Sequence, residues 1–229
     1  YLYQSIWTKA EEFATKIITD AANYKLLKPY NTFFAANARG TQESVFEIFY
    51  NGTTEVNAHR NQWQPQINGG TRQWAPNDVL VGLLNDPLAG GNRNTLVAKD
   101  NQNRWYGNLY YRNPSSDPSF VIRVGEIYLI RAEARANLDN LPGAVADLDA
   151  VRDRAGLTGT TAATKPDLLL AIENERRLEF ALEPHRWFDL VRTGRAQAVL
   201  NITDARKLVL PLPAQQVLLD EALEQNDSY

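Results

Sequence analysis

The sequence predicts a mostly α-helical protein, and three observations carry that expectation. Apolar residues recur at helical spacing in both flanks of the chain. Capping and breaking residues stand where those stripes begin and end. The asparagines collect between the flanks, where periodicity fades. From residue 3 to residue 22, Ile6, Ala10, Phe13, Ala14, Ile17 and Ile18 draw one apolar stripe, as a helix or a short helical pair needs. Of 20 asparagines, 14 fall between Asn31 and Asn113, so residues 23–119 read as a loop-rich insert with short strands. Within it Trp105, Tyr106, Tyr110 and Tyr111 show strand-like spacing, and packing is their expected use.

Residues 120–229 read as a helical region with an extended tail. A second helix is expected from Phe120 to Asn137, carried by Val121, Val124, Tyr128, Leu129, Ala132 and Ala136. Asn140-Leu141-Pro142-Gly143 breaks it and opens a third helix to Arg154, with Pro142 in a first turn that tolerates a missing amide hydrogen and Gly156 closing the end. Thr164 caps a fourth helix, Pro166 and Asp167 suit its first turn, and it is expected to reach Leu182. Pro184 interrupts, a short helix spans His185 to Thr193, and Gly194 ends it. Leu208 to Pro213 is too proline-rich for a central strand and is expected to lie extended on the helices.

The chain also echoes itself. Trp7, Ala10, Ala14 and Ile17 match Leu141, Ala144, Leu148 and Val151 at one constant offset. Small residues at those places let a neighbouring helix approach closely, the pattern of a tetratricopeptide-type helix pair, although any two amphipathic helices can yield such matches.

Composition narrows the function. The 24 basic and 27 acidic side chains leave no basic surface to hold a phosphate backbone, so nucleic acid is not expected as a partner. The longest apolar runs, Val79–Leu84 and Leu168–Ile172, fall far short of the roughly 18 residues of a membrane span. Zero cysteines exclude disulfides, thiolate nucleophiles, Cys-based zinc sites and iron–sulfur clusters. The chain begins at Tyr1 and holds no methionine, so it is expected to be a segment of a longer one, and any targeting sequence or lipid anchor of that parent would lie upstream.

No catalytic or cofactor constellation emerges. His185 and Asp189 have the spacing of two metal ligands on one helical face, but no third ligand accompanies them, and a bond between them or to a neighbouring helix serves as well. Glu173, Glu175, Glu179 and Glu183 alternate with Arg176 and Arg177, which suits mutual neutralisation better than acid–base work. Gly90-Gly91-Asn92-Arg93-Asn94 lacks the lysine and hydroxyl of a phosphate loop. Asp100-Asn101-Gln102-Asn103 lacks the rest of a calcium loop and reads as a turn.

Binding chemistry is better represented. Trp63 and Trp74 stand among His59, Arg60, Asn61, Gln64 and Arg72, in a stretch too polar for core. Flat rings stack on pyranose faces while amide and guanidinium groups reach vicinal hydroxyls, so this stretch is a candidate sugar platform; a loop tryptophan can equally plug the edge of a core.

The last hundred residues resemble a known family. Ile127 to Ala134, Asp147 to Leu157, and above all Ile172-Glu173-Asn174-Glu175-Arg176-Arg177-Leu178-Glu179-Phe180-Ala181 followed by His185-Arg186-Trp187-Phe188-Asp189-Leu190-Val191-Arg192 look like the SusD/RagB family of outer-membrane nutrient-binding lipoproteins. Leu210-Pro211-Leu212-Pro213 and the ending Leu223 to Tyr229 agree, and Trp7 to Glu12 is similar to one of the family's tetratricopeptide helices.

The resemblance implies a SusD-like α/α superhelix with no catalytic role and no cofactor. It implies a lipid-anchored receptor on the outer face of the outer membrane that caps a SusC-like TonB-dependent transporter and hands it oligosaccharide, or in some members peptide. This chain would be the carboxy-terminal half. Glu175, Arg176, Arg177, Glu179, His185, Arg186, Trp187 and Asp189 become fold-holding residues. Ligand contacts in the family come from variable loops, which leaves Trp63, Trp74 and their polar neighbours as candidates by region and chemistry. The alternative from another class is a helical protein-interaction scaffold without a small-molecule site. A receptor predicts an exposed tryptophan beside polar groups; the scaffold predicts both rings buried.

Overall fold

The computed structural model describes residues 1–35, 39–227 and 229; Asn37 of the asparagine-rich stretch and Ser228 of the terminal motif lie outside the described residues. The chain forms two compact units, Tyr1–Glu183 and Pro184–Tyr229. In the first, the elements run α1 (Trp7–Thr19), β1 (Ser44–Ile48), α2 (Ala58–Trp63), α3 (Asp78–Asn85), β2 (Val97–Lys99), β3 (Trp105–Gly107), β4 (Ser119–Arg123), α4 (Val124–Asn137), α5 (Leu141–Arg154) and α6 (Lys165–Glu179). Tight 3-10 turns at Tyr30–Phe33, Gln66–Asn68 and Gly91–Leu96 punctuate the insert.

The helical signals act as read. The Asn140 side chain accepts the Gly143 amide hydrogen at the start of α5, and Thr164 accepts that of Asp167 at the start of α6. Gly156, at φ +77°, supplies the left-handed residue after α5. Both halves of the internal echo pack on the same partner: α1 and α5 each lie against α4. Ala10 and Ala14 meet it from α1, and Ala144, Leu148 and Val151 are fully buried in α5. Together with Leu129, Leu168, Ile172 and Phe180 the α5 residues form one apolar cluster. A second cluster, Tyr30, Phe33, Phe34, Leu84, Leu96, Tyr110 and Phe120 among its members, belongs mainly to the insert.

Several expectations need correction. The second helix starts at Val124, because residues 119–123 pair as β4 with β1 in an antiparallel ladder that carries register shifts around Phe46. Phe120 and Arg123 are buried while Val121 is exposed: Val121 sits at the register shift between the pairs Glu47–Phe120 and Phe46–Ile122, which breaks the simple alternation of the pleat, so it belongs to no helical stripe. The fourth helix stops at Glu179, short of Leu182. The insert holds α2 and α3, which its asparagine content had concealed: Asn57 and Asn77 are helix caps, accepting the amide hydrogens of His59 and Leu80. Asp100 organises the hairpin between β2 and β3 by accepting the amides of Gln102 and Arg104.

The second unit contains α7 (Arg186–Arg192), α8 (Ala196–Leu200) and α9 (Ala214–Leu219), the last two unforeseen. Gly194 follows α7 at φ +69°. Leu208–Pro213 forms no strand, and its first residue closes a 3-10 turn. Val209 and Leu210 are more than half exposed, against the expected packing, and Gln225 clasps the Leu212 backbone from both sides instead.

Between the two apolar clusters of the first unit lies a buried array of charge. Arg93 donates through Nε to Glu179 at 3.0 Å and also bonds Glu175. Arg123 forks onto Glu183 at 2.7 and 3.1 Å and reaches Glu43 and Glu179. Arg154 bonds Glu43 at 2.7 Å and also Glu179. Arg152 closes the set on Glu175 at 3.0 Å. Four guanidinium groups thus face four carboxylates. The Arg123 guanidinium lies 4.2 Å from the Phe33 ring centre and 5.1 Å from that of Phe180, one ring from each cluster. Gly125 keeps the centre clear, since a Cβ there would stand 2.8 Å from Glu179 Oε1.

Burial pushes the Glu179 carboxyl up, but Arg154, Arg93 and Arg123 overcome it and hold it at about 2, below the ordinary 4.5. A carboxyl held down in the fold contributes stability that is present above pH 4.5 and lost as the pH falls towards 2. Acid unfolding followed by circular dichroism should show that decline, and Glu179→Gln should flatten it. At neutral pH the same substitution strips three buried arginines of a counter-charge and should cost about 3–5 kcal/mol. Unchanged melting would contradict this role.

Candidate ligand site

α2 divides the candidate residues between two faces. His59 and Trp63, four apart, turn towards Trp74; Arg60 and Gln64, also four apart, line a neighbouring cleft. Trp74 is 42% exposed, whereas Trp63 is half-buried against the insert's apolar cluster. The two indoles meet edge to face at 5.7 Å, and His59 lies between rings, 5.8 Å from Trp74 and stacked on Tyr110 at 5.4 Å. Burial pushes the His59 imidazole below its ordinary 6.5, so it is neutral at pH 7. The face therefore offers aromatic surface with an uncharged imidazole beside it.

The segment bearing these rings is stapled to itself. The Asn61 carbonyl accepts the Thr71 amide hydrogen at 2.7 Å and its hydroxyl at 3.0 Å, and the Gln62 carbonyl accepts the Trp74 amide at 3.1 Å. Arg72 donates through Nε and Nη2 to the Trp105 carbonyl. Gln64 is 1% exposed and spends both amide hydrogens on the carbonyls of Gly107 and Tyr110, while its oxygen accepts from Asn68. Asn61 keeps an exposed side chain, but Gln64 and Arg72 are committed to backbone, so their polarity serves the loop's shape.

The cleft has a volume of about 640 Å³ and is lined by Arg60, Gln64, Asn68, Tyr106, Asn108, Tyr111 and Asn113, with Ile67 and Gly69. Its far wall comes from residues some forty positions along the chain, which no local spacing joins to Arg60. The Tyr106 and Tyr111 side chains therefore belong in part to this wall, where the sequence suggested packing alone.

All four carboxylates weighed for catalysis, Glu173 among them, are buried. Glu175, Glu179 and Glu183 are locked in the buried array, and Arg176 reaches Glu126 at 3.4 Å. Arg177 is half-buried on α6. In the second unit Asp189 accepts Nε and Nη2 of Arg192 at 3.0 and 2.8 Å, and His185, Arg186 and Trp187 are half-buried around the start of α7. Among the described residues no group of three His, Cys, Asp or Glu side chains is placed to hold a metal, and no helix is long and apolar enough to cross a membrane.

Comparison with known proteins gives these features a setting. The SusD family model matches residues 46–205. The chain is 30% identical to SusD-like protein P38 of Formosa agariphila over 131 residues, 51% of this chain and 26% of that protein. Its fold matches a SusD superfamily protein from Bacteroides vulgatus with a TM-score of 0.83 at 19% identity, covering 100% of this chain and 60% of the other. It matches a laminarin-binding SusD-like protein at 0.79 and 25% identity, again covering 100% and 60%. The chain spans less than two thirds of each of these relatives.

Close packing against Trp63 yields a test of the local geometry. A Cβ on Gly107 would lie 2.6 Å from the Trp63 ring and 3.1 Å from Leu182. Gly107→Ala should therefore displace the indole, lower stability by about 1–3 kcal/mol and shift tryptophan emission. A variant with native emission and native melting would show that the ring does not sit there.

Proposed function

The chain belongs to the SusD family, and from that premise we propose that it serves in a non-catalytic surface receptor that binds oligosaccharide and delivers it to a SusC-like TonB-dependent transporter at the outer membrane, where an upstream lipid anchor holds it. The observation that carries the binding reading is Trp74, 42% exposed beside a neutral imidazole and edge-on to a supported second indole. A ring held this way loses little freedom on contact with a sugar face, so its apolar area converts into affinity. The laminarin named for one structural relative is a β-glucan, in keeping with a glycan as ligand class. The scaffold alternative needed both rings buried, and the exposure of Trp74 weighs against it.

The two tryptophans should separate on mutation. Isothermal titration with a panel of plant, algal and host oligosaccharides should find a ligand that Trp74→Ala weakens by about 1–3 kcal/mol with melting unchanged. Trp63→Ala should weaken binding and lower the melting temperature together, because that ring also packs on the core. Full binding by a folded Trp74→Ala protein would remove the platform from the reading.

A further inference from the structure

The cleft beside α2 contains an arginine whose charge no described residue neutralises. Among the described residues the buried arginines are Arg60, Arg93, Arg123, Arg131, Arg154 and Arg176. Five of them face carboxylates: Arg93, Arg123 and Arg154 in the central array, Arg131 on Asp147, and Arg176 on Glu126. Among the described residues Arg60 has no ion-pair partner. It is 5% exposed, donates only to the backbone carbonyls of Asn68 and Gly69, and leaves Nε without a partner. Burying an uncompensated charge is costly, and proteins accept that cost where a ligand supplies the counter-charge.

The surroundings agree. None of the residues lining the cleft is acidic; beside Ile67 and Gly69 they are amides, tyrosines and this one cation. The nearby Asp117 is spent, one oxygen accepting the Tyr111 and Arg112 amides and the other the Arg112 guanidinium. Asn108, Asn113 and Tyr111 line the same volume as Arg60, and such groups match sugar hydroxyls.

Resting on the glycan reading above, we propose that this cleft selects an acidic sugar, with Arg60 as the specificity-determining residue that pairs with the ligand's anionic group. A guanidinium pairs well with either a carboxylate or a sulfate ester, so the class is a glycan bearing one of these.

Matched pairs of probes test the proposal. Oligomers of galacturonate, mannuronate and glucuronate are titrated beside their carboxyl-reduced forms, and a sulfated galactan oligomer beside its desulfated form. An acidic member should bind at least about tenfold more tightly than its neutral match, with a preference that shrinks as salt rises. Which pair shows the gap distinguishes uronate from sulfate ester. Arg60→Gln should erase the gap. Because Arg60 also ties down the loop, Asn113→Asp gives a second variant: it places a carboxylate on an exposed wall residue and should abolish the same preference without unfolding the chain. Equal affinity within every pair would overturn acid selection while leaving the glycan reading in place. A preference that survives both variants would overturn the assignment to Arg60. An absence of binding throughout the panel would overturn the acidic class and count against the glycan reading as well.

Discussion

Glu179 is the residue on which the rest of the structure depends. It is 0% exposed, it accepts from Arg93, Arg123 and Arg154, and its carbonyl takes the Tyr30 hydroxyl at 2.9 Å. Those partners come from the 3-10 turn at Gly91–Leu96, the end of β4, the end of α5 and the turn at Tyr30–Phe33. One carboxylate thus ties the insert to the helices. Buried ion arrays add little net stability over a well-packed apolar core, but they punish any arrangement that leaves a member unpaired. Specifying one docking of a loop-rich insert suits that property, and a ring from each apolar cluster packs against Arg123.

The same tie explains how a segment with little regular structure presents a defined face. From residue 57 to residue 74 the chain has one helix of six residues and a 3-10 turn, yet its backbone is cross-bonded and Gln64 pins it to the carbonyls of Gly107 and Tyr110. Trp63 then leans on Gly107, and Trp74 on Trp63. Rigidity passes from the core to the exposed ring through this packing and the backbone bonds together, which is the preorganisation a receptor for weakly contacting sugars needs.

Much of the helical framework was legible in the sequence, because caps, prolines and terminal glycines act locally: Asn140, Thr164, Gly156 and Gly194 each do what their position suggested. The insert was harder to read for the same reason. Asparagine serves turns and helix caps alike, so Asn57 and Asn77 hid two short helices inside an apparent loop. Val121 fitted a helical stripe by spacing but lies in β4, whose partner β1 is more than seventy residues upstream and beyond the reach of local spacing. The sequence pointed to the aromatic face, at Trp63 and Trp74, and to the near wall of the cleft, at Arg60 and Gln64. The cleft's second wall, Tyr106 to Asn113, is joined to the first by tertiary folding only. Nor did residue type reveal that Gln64 and Arg72 are spent on backbone carbonyls while Arg60 keeps its charge uncompensated.

The most direct measurement of the central claim, that oligosaccharide is bound on the α2 faces of the insert, is hydrogen–deuterium exchange of the chain with and without the tightest-binding oligosaccharide. Slower exchange is expected in residues 57–74 and 105–113, with α4 and α5 unchanged. Protection elsewhere, with those two segments exchanging as before, would contradict the claim.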